Sequence, residues 1–441
     1  MKKIALFVLI LGIFGGATWA QEYQEGIPWG NAYFKPSVEF LFTHSDNVFL
    51  NDESMGELYD DSIWMIRPQL GLEFPFENSY VNLQVQYEYK DYEDYDLQHH
   101  DTWFGIFDSQ FKFSNGSTLN IKDHYVYGVQ QTSQFDPDSE VFWNVARFQR
   151  NLAIVQYELP VSTLNTLGIK LSHNEVNFRE DHDSGVLPFF SYVQKGGGLT
   201  WKYRYQPLAA MVFEYEHIKA SPLEDNYLHS PFGWYTTEKE YTEDRISIGW
   251  EGNSQRKFSG FAKIGYKKMD FDDHTIEGYD DFKGIVADAG LTYKFAEFTD
   301  LNATIFRHAS QSAFNVNNYY TATGADLRLH HQFNRHLFAT IGGKYQVNDY
   351  PEAVTDYIPG YGYYYSAPSF FTMLQGQHRN DDIAQFLAEL GYHFSSRISM
   401  RFNYLYEDRD SNLNFWDVYS VERKPYSYNE NRFVLQIQMG W

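Results

Sequence analysis

The sequence predicts an all-β chain: a transmembrane, antiparallel, up-and-down β-barrel of about eighteen strands (16–18 range), with short periplasmic turns and long extracellular loops. Three observations predict it. Segments of alternating apolar and polar residues recur along the chain. Their connections alternate between tight turns and long polar loops. Aromatic residues, 19% of the chain, gather at both ends of the apolar rows. Period-two alternation marks a strand whose two faces meet different surroundings. A soluble sandwich alternates as well, but it has no reason to place rings at both ends of its outer rows; two membrane interfaces supply one.

Residues 1–20 read as a signal peptide. Lys2 and Lys3 precede the apolar run Ile4–Phe14, Gly15-Gly16 break it, and Thr18-Trp19-Ala20 leads to a cut before Gln21. The run is shorter than the ~20 residues that cross a bilayer as a helix. Residues 21–33 form a short periplasmic lead, too small for a plug domain, and 34–441 form the barrel. No later run reaches ~18 apolar residues. The chain has 0 cysteines, which excludes disulfides, thiolate metal sites and cysteine catalysis. Its formal charge of −23 argues against nucleic acid, which needs a basic surface.

The strands follow in order. Val81, Leu83, Val85, Tyr87 and Tyr89 oppose Asn82, Gln84, Gln86, Glu88 and Lys90. Leu199, Trp201, Tyr203 and Tyr205 oppose Gly198, Thr200, Lys202 and Arg204. Ile285, Ala287, Ala289, Leu291, Tyr293 and Phe295 oppose Asp288, Gly290, Thr292 and Lys294. Ile398, Met400, Phe402, Tyr404 and Tyr406 oppose Ser399, Arg401 and Asn403. Tight-turn residues separate such rows at 77–79, 115–117, 160–161, 206–207, 252–254, 299–300, 334–335 and 395–396, with Asn115-Gly116 the strongest hairpin signal. Long loops are expected near 46–61, 91–101, 129–142, 178–189, 220–240, 270–282, 313–319, 350–381 and 408–427. The register over 143–155 is not set by the pattern, and a bulge is expected there.

The last strand places Phe433, Leu435, Ile437, Met439 and Trp441 on one face and Val434, Gln436, Gln438 and Gly440 on the other. It resembles the closing strand of bacterial outer-membrane barrels, which implies recognition by the barrel-assembly machinery and contact with outer-membrane lipid.

A sheet of this width leaves a lumen that side chains do not fill. The expected lumen rows carry Arg67, Lys90, Lys112, Lys122, Lys170, Lys202, Arg204, Arg245, Lys263, Lys267, Lys294, Arg328, Lys344, Arg401 and Arg432, with Glu73, Glu88, Asp108, Glu158, Glu214, Glu216, Asp288, Asp326 and Glu389. Bases outnumber acids in these rows, which could bias passage of ions or solutes; cross-strand pairing of opposite charges is the blander reading. The acidic residues concentrate in loops, such as Asp270, Asp272, Asp273, Glu277, Asp280 and Asp281, without the spacing of an EF-hand. Tyr361, Tyr363, Tyr364 and Tyr365 in the longest loop are candidate saccharide contacts, or a self-packed loop cluster. His330 and His331 point to opposite faces, and His99-His100 reads as a solvated loop pair, so no metal or other cofactor is expected. Lipid-row His173 and His217 have no serine that the register brings beside them, so catalysis is not expected.

Ser45-Asp46-Asn47-Val48-Phe49-Leu50, then Asp61-Ser62 and Pro68-Gln69-Leu70-Gly71-Leu72, resembles the opening of the putative β-barrel porin 2 family. The resemblance implies an outer-membrane barrel in a Gram-negative bacterium and, for some members, a link to exopolysaccharide or exosortase clusters. Taken together, these readings point to a porin-like channel for hydrophilic solutes, with small saccharides among them. The alternatives are an export-associated barrel working with periplasmic partners and a non-conducting structural barrel.

Overall fold

The computed structural model describes residues 26–48, 50, 58–95, 100–130, 146–178, 191–223, 227–230, 233–236, 240–254, 257–272, 281–312, 317–353, 362–364, 367–372, 378–412, 414–417, 422–425 and 427–441. The expected signal peptide, residues 1–20, lies outside them. Eighteen long strands form one closed antiparallel barrel. They are β1 Ala32–Ser45, β2 Asp61–Pro75, β3 Tyr80–Tyr92, β4 His100–Lys112, β5 Thr118–Gln130 and β6 Ala146–Pro160. Then come β7 Asn165–Phe178, β8 Tyr192–Gln206, β9 Ala209–Pro222, β10 Tyr241–Ser254, β11 Phe258–Phe271 and β12 Phe282–Ala296. The ring is completed by β13 Thr299–Gln311, β14 Tyr319–Gln332, β15 Leu337–Ala353, β16 His378–His393, β17 Ile398–Ser411 and β18 Tyr428–Gly440.

Each strand pairs with its neighbours in sequence, and β18 returns to β1 in register from Ser37↔Gly440 to Ser45↔Arg432. Closure matters because an open edge would leave backbone N–H and C=O groups without partners in hydrocarbon. The carboxyl-terminal strand therefore seals the sheet, and the Trp441 N–H donates to the Pro36 carbonyl at 3.1 Å. A three-residue strand, Ile27–Trp29, folds back on β1, and β1 itself starts at Ala32, just ahead of the expected Phe34.

Six of the eight expected short turns fall at strand junctions, but residues 252–254 and 299–300 lie within strands, whose connections run instead between Ser254 and Phe258 and between Ala296 and Thr299. At Asn115-Gly116 the Asn115 carboxamide accepts from the Ser117 N–H (3.0 Å) and hydroxyl (2.7 Å), and Gly116 has φ +82°, a conformation that other residues rarely adopt. Of the stretch 143–155, where a bulge is expected, the described part from Ala146 onward pairs without a register shift. Shifts occur instead between Ala209 and Ala210, Lys294 and Ala296, and Asp349 and Ala353, all near strand ends. At the long-loop end, Tyr227–Ser230 pairs with Gly233–Thr236. A second small sheet joins two loops: Gly362–Tyr364, Ala367–Thr372, Asn414–Asp417 and Glu422–Pro425, with Ser369↔Asp417 linking one loop to the other.

The register separates two faces cleanly. Outward rows carry exposed apolar side chains on most strands, among them Leu83, Leu199, Ile246 (66% exposed), Ile264, Ile305 (61%), Leu327 and Leu435. A belt of this extent is not viable in water; it is a lipid-facing surface. Inward rows carry most of the charged side chains, with apolar residues such as Phe148, Val176 and Met269 among them. No described helix is long and apolar enough to cross a membrane; the strands do the crossing.

Candidate functional site

The inner wall is the candidate site, and its register builds it. Arg67, Glu88, Lys90, Asp108, Lys112, Lys122, Lys202, Arg204, Arg245, Lys263, Asp288, Asp326, Arg328, Lys344, Arg401 and Arg432 fall on the row facing away from the apolar belt. The wall divides into three zones along its height.

At the long-loop end the inner row is covered. Thr102, Phe148, Val176, Ala220, Tyr241, Met269, Ala322, Tyr350, Asp381 and Arg409 are all buried. A polar cluster lies within this zone. Arg379 and Arg409 each place an Nη2 at 2.6 Å from Asp381 Oδ2, Ser411 donates to Oδ1, and the Arg379 guanidinium lies 4.2 Å from the centre of the Tyr350 ring. Glu430 accepts from Ser45 (2.6 Å) and from Arg432, tying β18 to β1 across the seam. His100, expected in a loop, opens β4 and is buried with its ring 5.9 Å from that of Tyr92.

The middle zone is a ladder of ion pairs. Arg67 bridges Glu39 (2.9 Å) and Glu88 (2.6 Å), and Lys90 meets Glu88 at 3.3 Å. Glu216 receives Lys170 and Arg245, both at 2.7 Å. The Lys170 contact passes over β8 at Gly198, which is in register with both residues and has no side chain to block it. Lys263 meets Glu214 (2.5 Å), Lys267 meets Glu243 (2.9 Å), and Lys202 spans Glu158 (3.3 Å) and Glu251 (3.6 Å). His308 pairs with Asp288, and Arg328 with Asp326. The more exposed of these, such as Lys202–Glu251 and Arg328–Asp326, contribute about 0–1 kcal/mol each, whereas Glu88, Lys90 and Glu243 are buried. Together the pairs stiffen the wall and cancel much of its charge.

The short-turn end is open. Lys112, Lys122, Arg204 and Lys294 are exposed there or just above it, and none has an ion-pair partner among the described residues. Between β8 and β13 the wall forms a depression of about 640 Å³ lined by Arg204, Glu251, Phe261, Thr292, Asn302 and Thr304. Phe261 faces the lumen with 47% of its surface open. Its ring lies over Gly290, where a Cβ would come within 2.6 Å of it.

The expected excess of bases shrinks in the structure. The inner rows also carry Glu39, Asp61, Glu243, Glu251, Asp300, Asp381, Glu407 and Glu430, against the further bases Lys35, Arg150, Arg379 and Arg409. Most of these sit at strand ends that blend into the acidic loops, so parity alone did not assign them. Tyr361 and Tyr365 lie outside the described residues, and of Tyr363 and Tyr364 only the backbone is described. His330 meets Thr340 and His331 meets Thr299, on opposite faces as expected. On the outer face Asp244 Oδ1 is shared by His217 (2.9 Å) and the Tyr215 hydroxyl (2.7 Å).

The remaining question is which barrels this one is similar to. Residues 236–438 match the family described as Putative beta-barrel porin 2. The match covers β10 to β18, whereas the family resemblance in the sequence lies in the first hairpin, so two separate parts of the chain point the same way. The match and the apolar belt support an outer-membrane β-barrel. No curated protein matches the sequence. Similar solved structures include OpdO of Pseudomonas aeruginosa, 10% identical, with a TM-score of 0.44 over 93% of this chain and 98% of that one. OpdK of the same organism with vanillate is 9% identical, with a TM-score of 0.45 over 93% and 99%. Its OccK2 (OpdF) in complex with glucuronate is 11% identical, with a TM-score of 0.44 over 94% and 100%. At these identities the ligands are properties of those proteins.

Proposed function

We propose that the chain is a porin-like channel that passes small hydrophilic solutes by diffusion. The observation that carries this reading is the inner wall itself: charged and hydrogen-bonding along the ion-pair ladder, and open to solvent towards the short-turn end. An apolar or fully packed interior would serve a structural barrel; a charged wall around a wide ring serves water and solutes. The covered long-loop end makes that end the constriction. Solutes are sorted there by size, and the ladder of paired charges leaves modest selectivity.

Saccharides are the solute class the wall suits best. Phe261 offers a flat apolar face at the lumen surface, and Arg204, Glu251, Asn302 and Thr304 surround it with donors and acceptors. A sugar ring needs that combination of one apolar face and a polar edge. The covered end also favours a second reading, a barrel that stays closed until a periplasmic export partner engages it. Liposome swelling with sugars of graded size separates the two. Uptake of mono- and disaccharides with exclusion of larger oligosaccharides is expected for the porin. No swelling from barrels shown to be folded by heat-modifiable mobility would overturn it and favour the closed barrel.

A further inference from the structure

The outward apolar row of β5 is interrupted by a carboxylate. The row runs Leu119, Ile121, Asp123, Tyr125, Tyr127, while Lys122 and His124 face the lumen and are exposed. Asp123 sits at the middle of the strand, with Phe107 directly across on β4 and Ala153 directly across on β6. At comparable depth β3, β7 and β9 present Val85, Ile169 and Phe213, all open to the surroundings. Neither carboxylate oxygen of Asp123 has a hydrogen-bond partner among the described residues; Oδ1 is buried, and Oδ2 is left accessible. Tyr125 and Asn151, paired across β5 and β6 beside it, form no side-chain hydrogen bond among the described residues.

Lipid tails offer no donor to a carboxyl group, so an ionisable side chain at this depth is costly unless protein covers it. The patch holds its own complement: an acceptor in Asp123 and donors in the Tyr125 hydroxyl and the Asn151 amide. A surface that is both donor and acceptor satisfies itself when a twofold axis sets it against its own copy. Gly105 and Ala153 at its centre keep the surface low, and small residues permit close approach of neighbouring backbones in a membrane.

We propose that the outward face of β4 to β6 is the interface between two copies of this chain, with Asp123 accepting hydrogen bonds from Tyr125 or Asn151 of the partner subunit. The pore of each copy is separate, so the interface stands independently of what the lumen passes. The test is the oligomeric mass in lipid nanodiscs by native mass spectrometry, with folding confirmed by heat-modifiable mobility. The wild-type chain is expected to give two-barrel particles, and Ala287→Leu on β12, far around the ring, to leave them intact. Asp123→Leu is expected to reduce the two-barrel fraction at least tenfold while the barrel still folds. Single barrels for the wild type overturn the proposal. So do two-barrel particles that persist in Asp123→Leu, and so does a single barrel carrying a lipid that Asp123→Leu releases, which would give the patch to a lipid headgroup.

Discussion

Asp381→Asn removes the carboxylate on which two buried guanidinium groups converge. Arg379 and Arg409 each reach Oδ2 at 2.6 Å, and Arg379 Nε reaches Oδ1 at 3.1 Å. Asp381 and Arg409 are almost fully buried, so water cannot take over the lost role. Breaking a buried pair by removing one partner costs about 3–5 kcal/mol. Asparagine keeps the volume and one acceptor, so the loss reads the charge rather than a cavity. The assay is urea-driven unfolding of the barrel from lipid vesicles, followed by tryptophan fluorescence. Replacing the three together, Arg379→Met with Asp381→Leu and Arg409→Met, also removes the two guanidinium groups that the single change strands and is expected to cost less than it. A loss below about 1 kcal/mol for Asp381→Asn, or a triple variant weaker than the single one, would refute the reasoning.

Three further outcomes follow from the same wall and seam. Lys112→Gln combined with Lys122→Gln removes two unpaired cations and is expected to lower the anion-to-cation permeability ratio roughly twofold, read from the reversal potential in a salt gradient. Swapping a satisfied pair, Lys263→Glu with Glu214→Lys, should leave that potential unchanged. Phe261→Ala is expected to weaken blockade by oligosaccharides added on the short-turn side: covering about 40 Å² of ring is worth roughly 1 kcal/mol, about fivefold in the blocking constant, at ~25 cal/mol per Å². Deleting Trp441 removes the last rung between β18 and β1 and an interfacial ring, and should lower the fraction of barrel that becomes heat-modifiable without changing its synthesis.

Strand faces and turns were legible in the sequence because both rest on local rules. Alternation assigns a face, and Asn115-Gly116 or Asn78-Ser79 assigns a turn, with no knowledge of the neighbours. Height was not legible. Which lysine meets which glutamate depends on the stagger between strands, so the Lys170–Gly198–Glu216 line appears only once register is known. The strand ends were read worst. Arg379, Asp381 and Arg409 fell within stretches read as loops, since charge at the end of a strand looks like charge in a loop. Asp123 was not singled out in the sequence, because a single polar residue in an apolar row gives no signal of its own until its neighbours on β4 and β6 prove to be Phe107 and Ala153.

Single-channel conductance of the refolded protein in a planar bilayer tests the channel reading most directly. A wide charged lumen narrowed at its long-loop end predicts stable, discrete steps that weaken when oligosaccharides are added, with weak ion selectivity because most wall charges are paired. Silence from a bilayer shown to contain folded barrels would contradict the channel, and strong selectivity would contradict the paired ladder as the surface that solutes meet.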